Sequence, residues 1–282
     1  MGICKYCGKP AGFLHSAHPA CQDAHLQLEQ AIHLKRQQVS LAILQAIKTD
    51  DDFSNLDKAI AELDPALGVN SVDRQTLLVK GWQTYVGGLL LEGPPSVEDE
   101  QRLVAFQRHF GLTQADLDRN GAYTSLTKAS ILRDLASGIV PQRCSISGPL
   151  PNIQKGEQIV WGFPGTKYLQ DKTHRQFIGA SQGVSFRVVR GVYYHVGAFK
   201  GQPVETTDRV LVDTGLTVLT DKNIYFAGSS TSFRLPYPKV VSFESFSNGI
   251  GFWKDAANAK AQYLITGDGL FAYNLVMNLS KL

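Results

Sequence analysis

The stretch from Val210 to Leu282 reads VLVDTGLTVLTDKNIYFAGSSTSFRLPYPKVVSFESFSNGIGFWKDAANAKAQYLITGDGLFAYNLVMNLSKL, and it decides the fold class. Short runs of β-branched and aromatic residues follow one another at near-constant spacing. Each run ends in a turn signal such as Asn248-Gly249. This pattern is typical of a small antiparallel barrel or sandwich. We therefore predict an α+β protein with a C-terminal antiparallel β-barrel, capped by the helix that closes the chain.

The closing helix follows Asp268-Gly269, and its apolar residues recur at helical spacing. They are Leu270, Phe271, Leu275, Val276 and Leu279. Burying each such side chain is worth roughly 1.5–3 kcal/mol. We expect this face, Leu270 included, to cover the sheet and complete its core.

Several runs upstream and within this stretch predict strands. Pro236 and Pro238 confine the run Phe233–Leu235 to a sheet edge, because proline cannot donate a ladder hydrogen bond. The predicted strands are Glu157–Phe163, Val184–Val196, Leu216–Thr220, Ile224–Ala227, Phe233–Leu235, Val240–Phe246, Gly251–Lys254 and Gln262–Ile265.

The hairpin LTDKNIYFAG, the strand pair LPYPKVVSFE and the terminal helix together resemble bacterial PH-like and GRAM domains. The resemblance is clearest over residues 210–282 and extends back to about residue 155 if seven strands precede the helix. It implies a non-enzymatic module that binds another protein, with membrane lipid as the alternative ligand. The sparse basic residues of the early β segment disfavour phosphoinositides; they are Lys167, Lys172, His174 and Arg175.

The first 21 residues contain two ligand pairs, Cys4-x2-Cys7 and His18-x2-Cys21. Thiolate and imidazole are ligands that Zn²⁺ prefers, and two such pairs can close a tetrahedral site. Because Cys21 falls where a long helix begins, the segment resembles treble-clef zinc fingers. Four protein ligands leave no open position for water, so we expect a structural zinc site. His15 is an alternative to His18.

Residues 22–48 predict one long helix with an apolar stripe. The stripe is formed by Leu28, Ala31, Ile32, Val39, Ala42, Ile43, Ala46 and Ile47. Further helices are predicted to begin at Ser54, at Ser71, at the capping boxes Ser96-x-x-Asp99 and Thr113-x-x-Asp116, and before Leu126. Pro65 and Gly68 break the helix from Ser54, Gly87-Gly88 weaken the end of the next, and Gly138 ends the last.

These signals divide the chain into a zinc knuckle at 1–25, a helical region at 26–140, a Pro/Gly-rich linker at 141–155 and a PH-like β domain at 156–282. Cys144 stands alone in the linker, and we interpret it as an ordinary semi-buried thiol. Ten acids against three bases in residues 51–100 fall mostly in first helical turns, where they complement the helix dipole.

The sequence offers little catalytic chemistry. Gly179-Ala180-Ser181-Gln182-Gly183 fits G-x-S-x-G, but a strand follows it where a nucleophile elbow needs a helix. His195 is the one downstream histidine, and no acid separates it from Ser181. We therefore predict a non-enzymatic adaptor with no small-molecule substrate.

A net charge of +3 is too small to argue for nucleic acid. A nucleic-acid partner would have to use the zinc module and the few cations Lys5, Lys9, Lys35 and Arg36. The chain has no apolar signal core at its N-terminus and no long apolar run. We expect a cytoplasmic protein, where thiols stay reduced and free to bind metal.

Overall fold

The computed structural model describes residues 2–12, 15–49, 52–62, 71–144, 146, 150–177, 203–257 and 259–282. For residues 71–73, 173–177 and 203–206 it describes the backbone alone. The chain forms two compact units, Met1–Ser130 and Ile131–Leu282. The first is helical with a Cys/His cluster at its N-terminus, and the second is a curled antiparallel sheet followed by a helix. The predicted α+β class is confirmed.

The first unit begins with a small two-stranded sheet, after which the chain is helical. Its elements are β1 (Gly2–Ile3), β2 (Pro10–Gly12), α1 (Pro19–Thr49), α2 (Ser54–Ala61), α3 (Ser71–Glu92), α4 (Val97–His109), α5 (Gln114–Leu117) and α6 (Ala122–Ala136). The division between the units falls within α6, earlier in the chain than the predicted linker at 141–155.

The core of the helical unit uses only the second half of α1. Val39, Ile43, Ala46 and Ile47 are buried there, and they join buried residues of the following helices, including Trp82 and Phe106. Between Pro19 and Gln38 no residue of α1 is buried. The predicted stripe is therefore wrong in its first part, because the helices that cover Val39–Ile47 leave Leu28 and Ala31 exposed.

Both predicted capping boxes are present. The Ser96 hydroxyl accepts from the Asp99 amide at 3.0 Å, and the Thr113 hydroxyl accepts from the Asp116 amide at 3.1 Å. The cap at Ser54 is wrong: Phe53 is the N-cap, and Ser54 instead donates its amide to the Asp52 carboxylate.

The structure describes one of the two helix ends that glycine and proline predict in this region. Helix α3 continues past Gly87-Gly88 to Glu92, because an exposed helix tolerates glycine at a modest cost. The breaks at Pro65 and Gly68 lie outside the described residues.

Among the described residues, the second unit contains seven antiparallel strands in the order β6-β5-β4-β3-β9-β8-β7. They are β3 (Ile159–Phe177), β4 (Pro203–Thr220), β5 (Asn223–Gly228), β6 (Ser232–Pro236), β7 (Val240–Phe246), β8 (Gly249–Lys254) and β9 (Gln262–Ile265), followed by α7 (Gly269–Leu279). The sheet curls into a half-barrel, and β6 lies at one edge as its prolines predict. The first strand of this sheet pairs with the last, so Tyr168 lies opposite Leu264.

Strand β3 is much longer than the predicted Glu157–Phe163. In the sequence, Pro164 and Gly165 indicate a strand end. In the structure the strand continues through them, and its register with β4 shifts between Phe163 and Thr166. Gly165 has φ +68° at this shift. Such a bulge bends a strand and increases its twist. The predicted strand Val184–Val196 lies outside the described residues.

Helix α7 packs against the sheet. Phe271, Leu275, Val276 and Leu279 are buried in one apolar cluster with Phe252 and other strand residues. The predicted burial of Leu270 is wrong, because this side chain is 69% exposed. It precedes Phe271 on the helix and therefore points about 100° away from it.

Candidate metal centre

The N-terminal cluster is built on a tight hairpin. Strands β1 and β2 pair antiparallel, and between them the Cys4 amide donates to the Lys9 carbonyl at 2.8 Å. The Gly8 amide donates a hydrogen bond to the Cys4 carbonyl at 2.9 Å. Gly8 has φ +69°, a backbone conformation that residues with a side chain rarely adopt. This turn directs the Cys4 and Cys7 thiols to the same side of the hairpin.

The second ligand pair comes from the start of α1. Pro19 is the first helical residue, a position where its missing N–H costs nothing. His18 directly precedes the helix, and its carbonyl accepts from the Gln22 amide at 3.0 Å. Cys21 lies in the first turn, so the helix start fixes the spacing between the imidazole and the thiol.

The four ligand atoms of Cys4, Cys7, His18 and Cys21 all lie within 4.8 Å of one another. His18 Nδ1 is 3.5 Å from Cys7 Sγ and 3.7 Å from Cys21 Sγ. Around a tetrahedral Zn²⁺ with bonds of about 2.0–2.3 Å, neighbouring ligand atoms are about 3.5–3.8 Å apart. The cluster therefore has the dimensions of a four-coordinate metal site.

A backbone carbonyl selects the tautomer of His18. Its Nε2 lies 2.9 Å from the Pro10 carbonyl oxygen, so this nitrogen carries the hydrogen and donates it. The lone pair of Nδ1 is then directed at the thiols. Ligating histidines usually have their second nitrogen held in this way. The Pro10 carbonyl is the largest influence on the His18 pKa, which it raises together with the neighbouring thiols.

The thiols differ in their acidity. Burial alone would raise the pKa of Cys4, but hydrogen bonds from the backbone amides of His18 and the knuckle lower that pKa to about 6. The side-chain hydrogen bond with Cys7, together with burial, raises the pKa of Cys21 to about 11. A divalent cation supplies the charge that holds several thiolates together.

The structure brings together the residues that the sequence singled out. His18 belongs to the cluster, whereas His15 is exposed and is not part of it. The sequence does not indicate the role of the Pro10 carbonyl, because every residue has a backbone carbonyl and residue type does not show which one accepts. Cys144, the remaining cysteine, is half-buried in the second unit, and burial raises its pKa, as expected for an ordinary thiol.

Two other predicted features fall largely outside the described residues. Ser181 and His195 lie in 178–202, for which nothing is described. In the basic patch, Lys167 and Lys172 are exposed, and the side chains of His174 and Arg175 are not described.

Two polar clusters in the sheet unit are structural. Asp213 accepts hydrogen bonds from the amides of Thr214, Ser230 and Thr231, which tie β4 to the turn between β5 and β6. The Ser230 amide is the largest of the causes that lower the Asp213 pKa against the opposing effect of burial. Glu157 similarly accepts hydrogen bonds from the side chains of Thr220 and Asn223, at the hairpin between β4 and β5. Every carboxylate oxygen is occupied, so neither cluster offers a free ligand.

Comparison with known proteins adds no family. No protein-family model, no curated protein and no solved structure matches this chain at a significant level. No helix within the described ranges is long and apolar enough to cross a membrane. The Cys/His cluster is therefore the main structural indication of function.

Proposed function

We propose that Cys4, Cys7, His18 and Cys21 bind one zinc ion as a structural site in a non-enzymatic adaptor, whose C-terminal sheet binds another protein. The observation that carries the metal assignment is the convergence of the four ligand atoms within 4.8 Å. Three sulfurs and one imidazole nitrogen favour zinc over the harder cations Mg²⁺ and Ca²⁺, which take oxygen ligands. A fully protein-ligated ion fixes the hairpin to the start of α1.

The binding role rests on the sheet. The PH-like resemblance implies seven strands before a terminal helix, and the seven described strands of this sheet, followed by α7, support the proposal. Strand β7 lies at one edge and pairs only with β8 among the described strands, and Val241 on it is 67% exposed. Edge strands and exposed apolar side chains are surfaces on which extended peptides add.

Metal content tests the first half of the proposal. Protein purified without chelator should contain one zinc per chain by elemental analysis, and Cys7→Ser should lose most of it. Cys144→Ser is the matched control, because that thiol lies outside the cluster, and it should retain full zinc. Zinc-free wild-type protein, or a Cys7→Ser variant with normal zinc, would refute the site.

Partner capture tests the second half. Zinc-loaded wild-type protein should retain a protein from native extract, identified by mass spectrometry, and Val241→Lys should reduce that retention. Leu270→Lys is the control, since Leu270 is equally exposed but lies on α7. Retention that is unchanged in Val241→Lys, or binding that requires liposomes, would contradict a protein-binding β7 edge.

A further inference from the structure

The three sulfurs of the metal cluster differ in their exposure to solvent. Cys4 is 1% exposed and Cys21 is half-buried, whereas Cys7 is exposed. Oxidation of a cysteine by a peroxide depends on thiolate character and on access to the sulfur. Metal ligation gives all three sulfurs thiolate character, so access is what separates them. A dissolved oxidant therefore reaches Cys7 first.

Hydrogen bonding separates the sulfurs in the same way. The His18 amide donates to Cys4 Sγ at 3.5 Å, and the amides of Tyr6 and Cys7 also donate to this sulfur. Each such hydrogen bond withdraws electron density from a thiolate and makes it a weaker nucleophile. Among the described residues, Cys7 Sγ contacts the His18 ring nitrogen and the other sulfurs, and no backbone amide donates to it. Access and nucleophilicity therefore both favour Cys7.

The second sulfur that a disulfide needs lies close to Cys7. The Cys21 thiol shares a hydrogen bond with Cys7, and all four ligand atoms of the cluster lie within 4.8 Å of one another. A disulfide has an S–S length of about 2.05 Å, so the two sulfurs approach each other by less than about 3 Å to form one. The hairpin that carries Cys7 has almost no apolar core to resist this movement. The amide hydrogen bonds hold Cys4 in place, which leaves Cys21 as the partner.

We propose that the cluster is a redox switch that responds to peroxides: Cys7 is oxidised first, Cys7 and Cys21 form a disulfide, and the metal ion is released. This switch rests on the zinc site proposed above. In the reduced state the metal joins the hairpin to the start of α1, and in the oxidised state a covalent bond joins them. A thiol reductant reverses the change, because a disulfide is a reversible product of cysteine oxidation.

The oxidation takes two steps with hydrogen peroxide as the oxidant. The Cys7 thiolate attacks one peroxide oxygen, an S–O bond forms, the O–O bond breaks, and hydroxide leaves behind a sulfenic acid. The Cys21 thiolate then attacks the Cys7 sulfur, the S–S bond forms, the S–O bond breaks, and a second hydroxide leaves. Solvent protonates both hydroxides to water. The two sulfurs together lose the two electrons that reduce the peroxide, and an ion that has lost two of its four ligands dissociates.

Zinc release tests the switch in the full, zinc-loaded chain. The protein is freed of reductant and mixed with hydrogen peroxide in about tenfold molar excess, while a chromophoric chelator records free zinc. Wild-type protein should release its zinc, and dithiothreitol with added zinc should restore the bound state. Cys144→Ser should behave as wild type, because that half-buried thiol lies outside the cluster. Cys7→His keeps a zinc ligand but removes the reactive sulfur, and it should release zinc at least about tenfold more slowly.

Elemental analysis before oxidation separates the failure of the switch from the failure of the metal site. Wild-type protein that contains no zinc refutes the site and the switch together. Zinc-loaded wild-type protein that keeps its zinc in peroxide refutes the switch alone. Zinc-loaded Cys7→His that releases zinc as fast as wild type refutes Cys7 as the sulfur that is oxidised first.

Peptide mapping of oxidised wild-type protein tests the pairing and needs no variant. Tryptic peptide 1–5 contains Cys4, and peptide 6–35 contains both Cys7 and Cys21, because the Lys-Pro bond between these two cysteines resists trypsin. After alkylation, mass spectrometry should find peptide 6–35 unalkylated and lighter by two hydrogens, and peptide 1–5 alkylated. A cross-link between the two peptides would overturn the assignment of Cys21 as the partner of Cys7.

Discussion

The N-terminal knuckle and the C-terminal sheet differ in how much apolar core they bury. Among the described residues from 2 to 21, Cys4 alone is buried, so this segment has almost no apolar core. The sheet unit instead buries a continuous cluster that includes Tyr168, Phe226, Phe252 and Leu275. A short segment cannot bury enough surface to offset its conformational entropy, and a bound metal commonly replaces that core. The two regions should therefore respond to different perturbations.

Metal removal should have the largest effect, and it should be local. Chelation or Cys7→Ser should unfold residues 2–21 and fray the start of α1, because ligation of the proposed metal would supply the folding free energy there. Hydrogen exchange should show lost protection at the Cys4 and Lys5 amides, which donate to Lys9 and Ser16. Protection in β8 and β9 should not change. Knuckle amides that stay protected without metal would show that the hairpin folds unaided.

Truncation of a core side chain should instead destabilise the sheet unit and leave the N-terminal knuckle intact. Leu275→Ala should lower the free energy of unfolding of the sheet unit by about 2–5 kcal/mol, because it leaves a cavity at a fully buried position. Leu270→Ala on the same helix should change it by less than about 0.5 kcal/mol, since that side chain is exposed. Urea unfolding followed by fluorescence measures both. Similar losses in the two variants would contradict the observed face of α7.

The Asp213 carboxylate should have a smaller effect that depends on pH. Its pKa is lowered in the folded protein, so its stabilising contribution is present above the ordinary value of about 3.9 and is lost as the pH falls below it. Asp213→Asn turns an amide donor toward the donors of Thr214 or Ser230 and should lower the thermal midpoint at pH 7. The difference from wild type should shrink at pH 3. An equal difference at both pH values would exclude the charge as the cause.

The smallest expected effect is at a helix cap in the helical unit. Ser96→Ala removes the acceptor for the Asp99 amide and should lower the free energy of unfolding by about 0.5–2 kcal/mol, measured by urea titration. Ser96→Thr keeps a hydroxyl at the same position and should recover most of the loss. If threonine is as destabilising as alanine, the hydrogen bond is not what stabilises this helix start.

The features that were predictable from sequence are those that depend on neighbours in the chain. Metal-ligand spacing, the capping boxes and the hairpin at Asp221-Lys222 are local patterns, and the structure has the corresponding geometry at each. Helix α7 was predictable because the apolar residues that define its buried face all lie within eleven consecutive residues. In these cases short-range chemistry determines the outcome.

What could not be predicted depends on distant partners. Pro164 and Gly165 indicate a strand end, and only pairing with β4 on the far side of the bulge keeps β3 extended. Leu28 and Ala31 have the spacing of a core stripe, but whether they are buried depends on where the other helices pack. The role of the Pro10 carbonyl depends on the approach of His18, eight residues later. The residue type at one position does not show which distant groups will pack against it.

The pairing of β3 with β9 has a consequence for synthesis of the chain. Tyr168 cannot meet Leu264 until Leu264 has also left the ribosome, and α7 emerges later still. The four residues of the proposed metal site, by contrast, have all emerged once Cys21 has left the ribosome. Translation at about 5–20 residues per second therefore leaves the β9-facing edge of β3 unpaired for several seconds or more, even after β4 has paired with its other edge. An exposed strand edge can pair with other chains, so this edge is vulnerable to aggregation during that interval.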